Sequence, residues 1–136
     1  MAIVYRTDLL EAALSRLCDR LPGVQGAVIV SIEGFVVTSY SPLDNGNGGE
    51  EAINSPQVAA MAATLIALGE RTLARLAQGE LSRLMLEGSE GAMLVVPASK
   101  RAAVALMVQN NAKMGLSLYA LRRAAVEIRD ILEGDR

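Results

Sequence analysis

The chain has 136 residues, one domain's worth, and half of them are hydrophobic. At that size roughly two-thirds of the surface exposed by the unfolded chain can be buried. A net charge of −2 leaves no basic field to hold phosphate backbones. The aromatic residues, Tyr5, Phe35, Tyr40 and Tyr119, are too few to stack bases, so no nucleic-acid partner is expected.

In chain order, Thr7 or Asp8 is a candidate helix N-cap, and Asp8 with Glu11 has capping-box spacing. Leu10, Leu14, Leu17 and Leu21 then recur at intervals that line one helical face, and Pro22-Gly23 stops the helix. Cys18 falls beside Leu17 and Leu21 and reads as a buried, inert thiol. As the sole cysteine it can form no internal disulfide.

Residues Gly26 to Ser31 (GAVIVS) and Phe35 to Tyr40 (FVVTSY) are β-branched runs flanking Ile32-Glu33-Gly34, which predicts a hairpin with glycine at the tight position. Both runs are nearly continuous in apolar residues, as expected for strands covered on one face and partly on the other. Residues Ser41 to Ser55 (SPLDNGNGGEEAINS) are a long polar connection, read as mobile.

Ser55 as N-cap and Pro56 at the first helical position open the next helix, which ends before Gly79. Leu81 to Glu87, Ala92 to Val96 and Ala103 to Gln109 read as three strands joined by short turns at Gly88–Gly91 and Pro97–Arg101. Leu118, Leu121, Ala125, Ile128 and Leu132 mark the stripe of a C-terminal helix. The order α-β-β-α-β-β-β-α predicts an α+β sandwich: three helices against a five-stranded, mainly antiparallel sheet, in a single domain over residues 7–133.

Motifs for chemistry are missing. Without histidine there is no Ser-His-Asp or Cys-His nucleophile system and no imidazole metal ligand. Neither a GxxxxGK[ST] loop nor a GxGxxG turn occurs. Asp44-Asn45-Gly46-Asn47-Gly48 superficially resembles an oxygen-rich calcium loop, but lacks the alternating carboxylates and the bidentate Glu. Glu50-Glu51 reads as a solvated run. No catalytic, cofactor or metal site is expected. The basic pairs Lys100-Arg101 and Arg122-Arg123 read as a turn and a solvated helix face, or else as contacts for an acidic patch on a partner.

The middle helix is more informative. At 100° per residue, Val58, Met61, Ala62, Leu65, Ile66, Leu68, Leu73 and Leu76 fall in one arc of about 160°, which is expected to pack on the sheet. Ala59, Ala60, Ala63, Ala67 and Ala74 occupy most of the opposite side, where Gln57, Thr64, Arg71 and Arg75 form only a narrow polar strip, with Glu70 on the other flank. A small apolar outer face lets a second helix approach closely, and the simplest partner is the same helix of another copy. The strand from Leu81, with Leu84, Met85 and Leu86, is expected at the sheet edge, paired with its own copy.

The pattern resembles the Roadblock family, with its bacterial MglB-like members nearest. The matching features are Val24-Gln25-Gly26-Ala27-Val28-Ile29-Val30 followed by Glu33-Gly34; Met61-Ala62-Ala63-Thr64-Leu65; Gly79-Glu80-Leu81; Glu87-Gly88 with Gly91; and Met114-Gly115-Leu116 leading into Leu121-Arg122-Arg123-Ala124-Ala125. The resemblance implies a Roadblock/longin-like (profilin-like) fold, homodimers with paired middle helices and a continuous sheet, and binding to a Ras-like small GTPase as regulator or scaffold. It makes Thr64, Arg71 and Arg75 the candidate partner contacts. The alternative is a small-ligand sensor of similar layering, for which Thr38, Ser39 and Tyr40 offer the polar groups. No apolar run is long enough to span a membrane and the N-terminus lacks a signal peptide's apolar region, so the expected location is the cytoplasm.

Overall fold

The computed structural model describes residues 2–42 and 56–134. The elements follow in the expected order: α1 (Ala2–Asp19), β1 (Val24–Ser31), β2 (Val36–Tyr40), α2 (Pro56–Arg75), β3 (Leu84–Glu87), β4 (Gly91–Pro97), β5 (Ala102–Gln109) and α3 (Met114–Glu133). Thr7 and Asp8 lie inside α1 rather than capping it, since that helix begins at Ala2. Pro56 opens α2 as expected. The expected Ser55 cap, the glycine- and asparagine-rich run at 44–48 and Glu50-Glu51 lie outside the described residues.

The five strands form one sheet in the order β2-β1-β5-β4-β3, with every neighbouring pair antiparallel. Local chemistry closes the turns. Gly34, at φ +98°, lets the Ser31 N–H donate to the Phe35 carbonyl across the β1–β2 hairpin at 2.9 Å. At the end of α2 the Gln78 N–H donates to the Leu73 carbonyl and the Ala77 N–H to that of Ala74, which is a Schellman closure with Ala77 at φ +55°.

The central strands β1 and β5 are almost continuously buried because both faces of the sheet are covered. Ala27 and Ile29 of β1, with Val104, Leu106 and Val108 of β5, face the core under α1 and α3, where Leu10, Leu14, Leu17, Leu121 and Ile128 enclose them. Val28 and Val30, with Ala103 and Ala105, face the opposite core, under α2. Val104, Leu106 and Val108 of β5 thus point to the two-helix side, and Ala103 and Ala105 to α2. Cys18 is buried in the two-helix core, and burial, with a smaller contribution from the Asp19 carboxylate, pushes its thiol up to about 12.

That asymmetry corrects the expected orientation of the middle helix. The residues of α2 that are buried are Ala59, Ala62 and Ile66. Relative to the aliphatic arc, the helix is turned by about 60° about its axis. Ala103 and Ala105 leave a shallow floor, so α2 settles with its own alanines against them and Ile66 fills between. Ala59 is fully enclosed and cannot meet another copy. Met61, Leu68 and Leu76, expected against the sheet, face outward.

Candidate interaction surface

The outward face of α2 is built from side chains that the sheet leaves over. Met61 and Leu68 are 57% and 52% exposed. They lie seven residues apart on one helical stripe, with Ala60, Thr64 and Ala67 beside them. Thr64 and Thr72 add less polarity than their type implies. Each donates its hydroxyl to the carbonyl four residues earlier, Ala60 and Leu68 respectively, at 2.8 Å. This turns the hydroxyls toward their own helix, so the stripe from Met61 to Thr72 presents mainly hydrocarbon. Arg71 and Arg75 are exposed on the same half of the helix, and among the described residues neither has a carboxylate partner.

The alanine set divides. Ala59 is in the core, Ala60 and Ala74 are exposed, and Ala63 and Ala67 line a cavity of about 270 Å³ between α2 and the ends of the strands. Ile32, Pro97 and Ala102 close its apolar side, and Glu70, Ser99 and Lys100 stand around it.

β3 is one of the two edge strands, hydrogen-bonded among the described residues to β4 on one side only. The register places Leu86 opposite Met93 and Met93 opposite Met107, so these three form one row across β3, β4 and β5. Met93 and Met107 pack only partly buried against the core under α2, and Leu86 is 54% exposed. Leu84 lies on the same side, packed on that core, while the alternation turns Met85 to the other face. The single helix on this side therefore leaves an apolar row beside an open sheet edge. Leu84, Met85 and Leu86 were expected at the edge; the exposure of Met61 and Leu68, and the partial exposure of Met93 and Met107, were not. The available signal was their composition, since methionine and leucine recurred beyond what one face of one helix needs.

Thr38, Ser39 and Tyr40 lie in succession on β2. Tyr40 donates its hydroxyl to Asp19 at 3.2 Å, tying β2 to α1. No cluster of metal-ligating side chains occurs among the described residues. No helix among them is long and apolar enough to cross a membrane.

The architecture, a five-stranded antiparallel sheet with one helix on one face and two on the other, defines a Roadblock-type α+β domain. Residues 10–110 match the Roadblock/LC7 domain model, and the chain belongs to that family. It is 30% identical over 113 residues to the uncharacterized proteins MJ1340 and MJ0310 of Methanocaldococcus jannaschii, an alignment covering 82% of this chain and 90% of each relative. Among solved structures, the fold is similar to a Roadblock/LC7 domain from Streptomyces avermitilis (TM-score 0.78, 22% identity, 90% of this chain and 96% of that one). It is also similar to the gliding protein MglB of Thermus thermophilus (TM-score 0.82, 16% identity, 95% and 92%). Myxococcus xanthus MglB is a further structural neighbour (TM-score 0.79, 16% identity, 94% and 90%).

Proposed function

We propose that this chain is a homodimeric, non-catalytic module of the cytoplasm that binds and regulates a Ras-like small GTPase, as a GTPase-activating co-factor or a scaffold. The observation that carries the reading is the outward apolar stripe of α2, with Met61 and Leu68 more than half exposed, on a sheet whose β3 edge is open among the described residues. Burying a large aliphatic side chain contributes roughly 1.5–3 kcal/mol, so a surface repeated on two copies supplies a real driving force. A two-fold axis between the α2 helices places like against like, and pairing β3 with its copy satisfies the open edge and extends the sheet.

In this arrangement Met61 and Leu68, with the half-buried Leu65, form the centre of the stripe and Ala60 lies nearest its border, while Ala63, Ala67 and Ala74 lie further round the helix, Ala63 and Ala67 against the cavity. Leu84, Met85 and Leu86 contribute from the edge strand. Likeness to MglB structures, one of them described as a tetrameric arrangement, supports assembly between copies. Thr64, Arg71 and Arg75 then border the composite surface offered to the GTPase. A regulator without catalytic groups accelerates hydrolysis by ordering the partner's own residues or by donating an arginine; we assign Arg71 and Arg75 to docking rather than donation.

Light scattering and capture of small GTPases from the native cell test the two halves separately. A dimer by light scattering, and retention of a small GTPase that depends on GTP or GDP loading, are the expected results. A monomeric wild-type chain refutes the assembly, and absence of any GTPase under both loadings refutes the partner class.

A further inference from the structure

The opposite face of the sheet carries a second surface, away from the proposed dimer contact through α2 and β3. α3 has two apolar stripes where a surface helix needs one. The inner stripe, Leu121, Ala125 and Ile128, is buried against the sheet and α1. The outer stripe is Leu116, Tyr119, Arg123 and Val126, spaced three, four and three residues apart, which is the spacing of a helix–helix seam. Leu116, Tyr119 and Val126 are 47%, 60% and 50% exposed. They form one wall of a groove of about 540 Å³ whose other wall is α1, with Leu17 and Ala124 among its lining residues.

The charges of the groove are unbalanced at one end. Arg16 is committed to Glu127 across the groove and Asp130 lies near Arg129. Arg20 and Arg123 line the same groove, and among the described residues neither has a carboxylate partner. Arg123 is held in place instead. Its guanidinium lies over the Tyr119 ring, 5.8 Å from the centroid, and donates to the Tyr119 hydroxyl at 3.2 Å. The groove thus holds three arginines, Arg16, Arg20 and Arg123, against two carboxylates, Glu127 and Asp130, beside three exposed apolar side chains.

We propose that this groove receives an amphipathic helix of another protein, apolar along one stripe and acidic where it passes Arg20 and Arg123. Both walls are helices whose backbone groups are bonded internally, so an extended peptide finds no strand edge to join, whereas a helix finds a seam. Residues 116–126 span about 16 Å, room for three turns of the incoming helix. A second copy of this chain is the poorer occupant, because a two-fold contact centred on the stripe brings Arg123 against Arg123.

The test uses the full-length chain and two stapled helical peptides of about three to four turns, each with leucines at the seam positions. One is flanked by glutamates and the other by lysines. In fluorescence anisotropy at low salt the acidic peptide saturates the groove at about micromolar concentration, at least roughly tenfold tighter than the basic one, and weakens as salt screens the pair. Arg20→Glu with Arg123→Glu abolishes that preference, and Val126→Glu weakens the acidic peptide by roughly tenfold; these side chains are exposed, so the variants fold. Equal binding of the two peptides, no saturable binding, or indifference to the arginine reversals overturns the proposal. A Val126→Glu chain that loses a copy of itself in sedimentation also overturns it, by showing that the groove is filled by self-association.

Discussion

Ala59 and Met61 stand two residues apart on α2, yet Ala59 is fully enclosed and Met61 is 57% exposed. The sheet accepts the smaller side chain because Ala103 and Ala105 floor this side of β5, and it turns the larger one outward. Enlarging the inner position therefore strains the core, while altering the outer one touches only the surface. Ala59→Leu is expected to lower stability by about 1–3 kcal/mol in urea unfolding. Met61→Glu should change monomer stability by no more than about 0.5 kcal/mol. If α2 pairs with its copy, Met61→Glu combined with Leu68→Glu gives a folded monomer by light scattering, and an unchanged dimer excludes this stripe as the interface.

Ala77 holds the left-handed position that ends α2, at φ +55°. That conformation costs an L-residue about 1–2 kcal/mol, of which glycine is relieved at the expense of a more flexible unfolded chain. Ala77→Gly should raise stability by about 0.5–1 kcal/mol, measured as a higher urea midpoint with an unchanged m-value.

Cys18 gives a pH dependence of definite sign. Its thiol is raised from 9.0 to about 12 in the folded chain, first by burial and then by Asp19. The unfolded chain releases this proton earlier, so the contribution is intact below pH 9.0 and is lost as pH rises toward about 12. The slope is at most about 1.4 kcal/mol per pH unit. Between pH 8 and pH 10.5, the wild-type urea midpoint should fall further than that of Cys18→Ala; parallel curves would exclude the effect.

Arg71 and Arg75 separate docking from catalysis. A donated arginine contributes roughly 10³–10⁵-fold to hydrolysis, whereas a rim cation alters association and its salt dependence. If a small GTPase is the partner, as proposed, Arg71→Ala and Arg75→Ala should weaken its binding by roughly tenfold and leave the single-turnover rate at saturation unchanged. A thousandfold fall in that rate would make either residue a finger.

Much of the fold was legible from local chemistry. Pro22-Gly23, Glu33-Gly34 and Gly88–Gly91 punctuate the chain where helices and strands end, and Leu10, Leu14 and Leu17 mark the face that α1 buries. Turn formation and periodicity are near-neighbour effects, so sequence alone sets the order α-β-β-α-β-β-β-α. The missing histidine and missing phosphate loop likewise restrict the chemistry before any folding is considered. The rotation of α2 was decided only in the assembled protein. A helical wheel separates apolar from polar, but it holds no record that β5 turns Val104 and Leu106 one way and Ala103 and Ala105 the other. That difference in side-chain volume across one strand sends Ala59 inward and Met61 outward. It is also only in three dimensions that α1 meets α3, so that Arg20 and Arg123, far apart in the chain, come to line one groove.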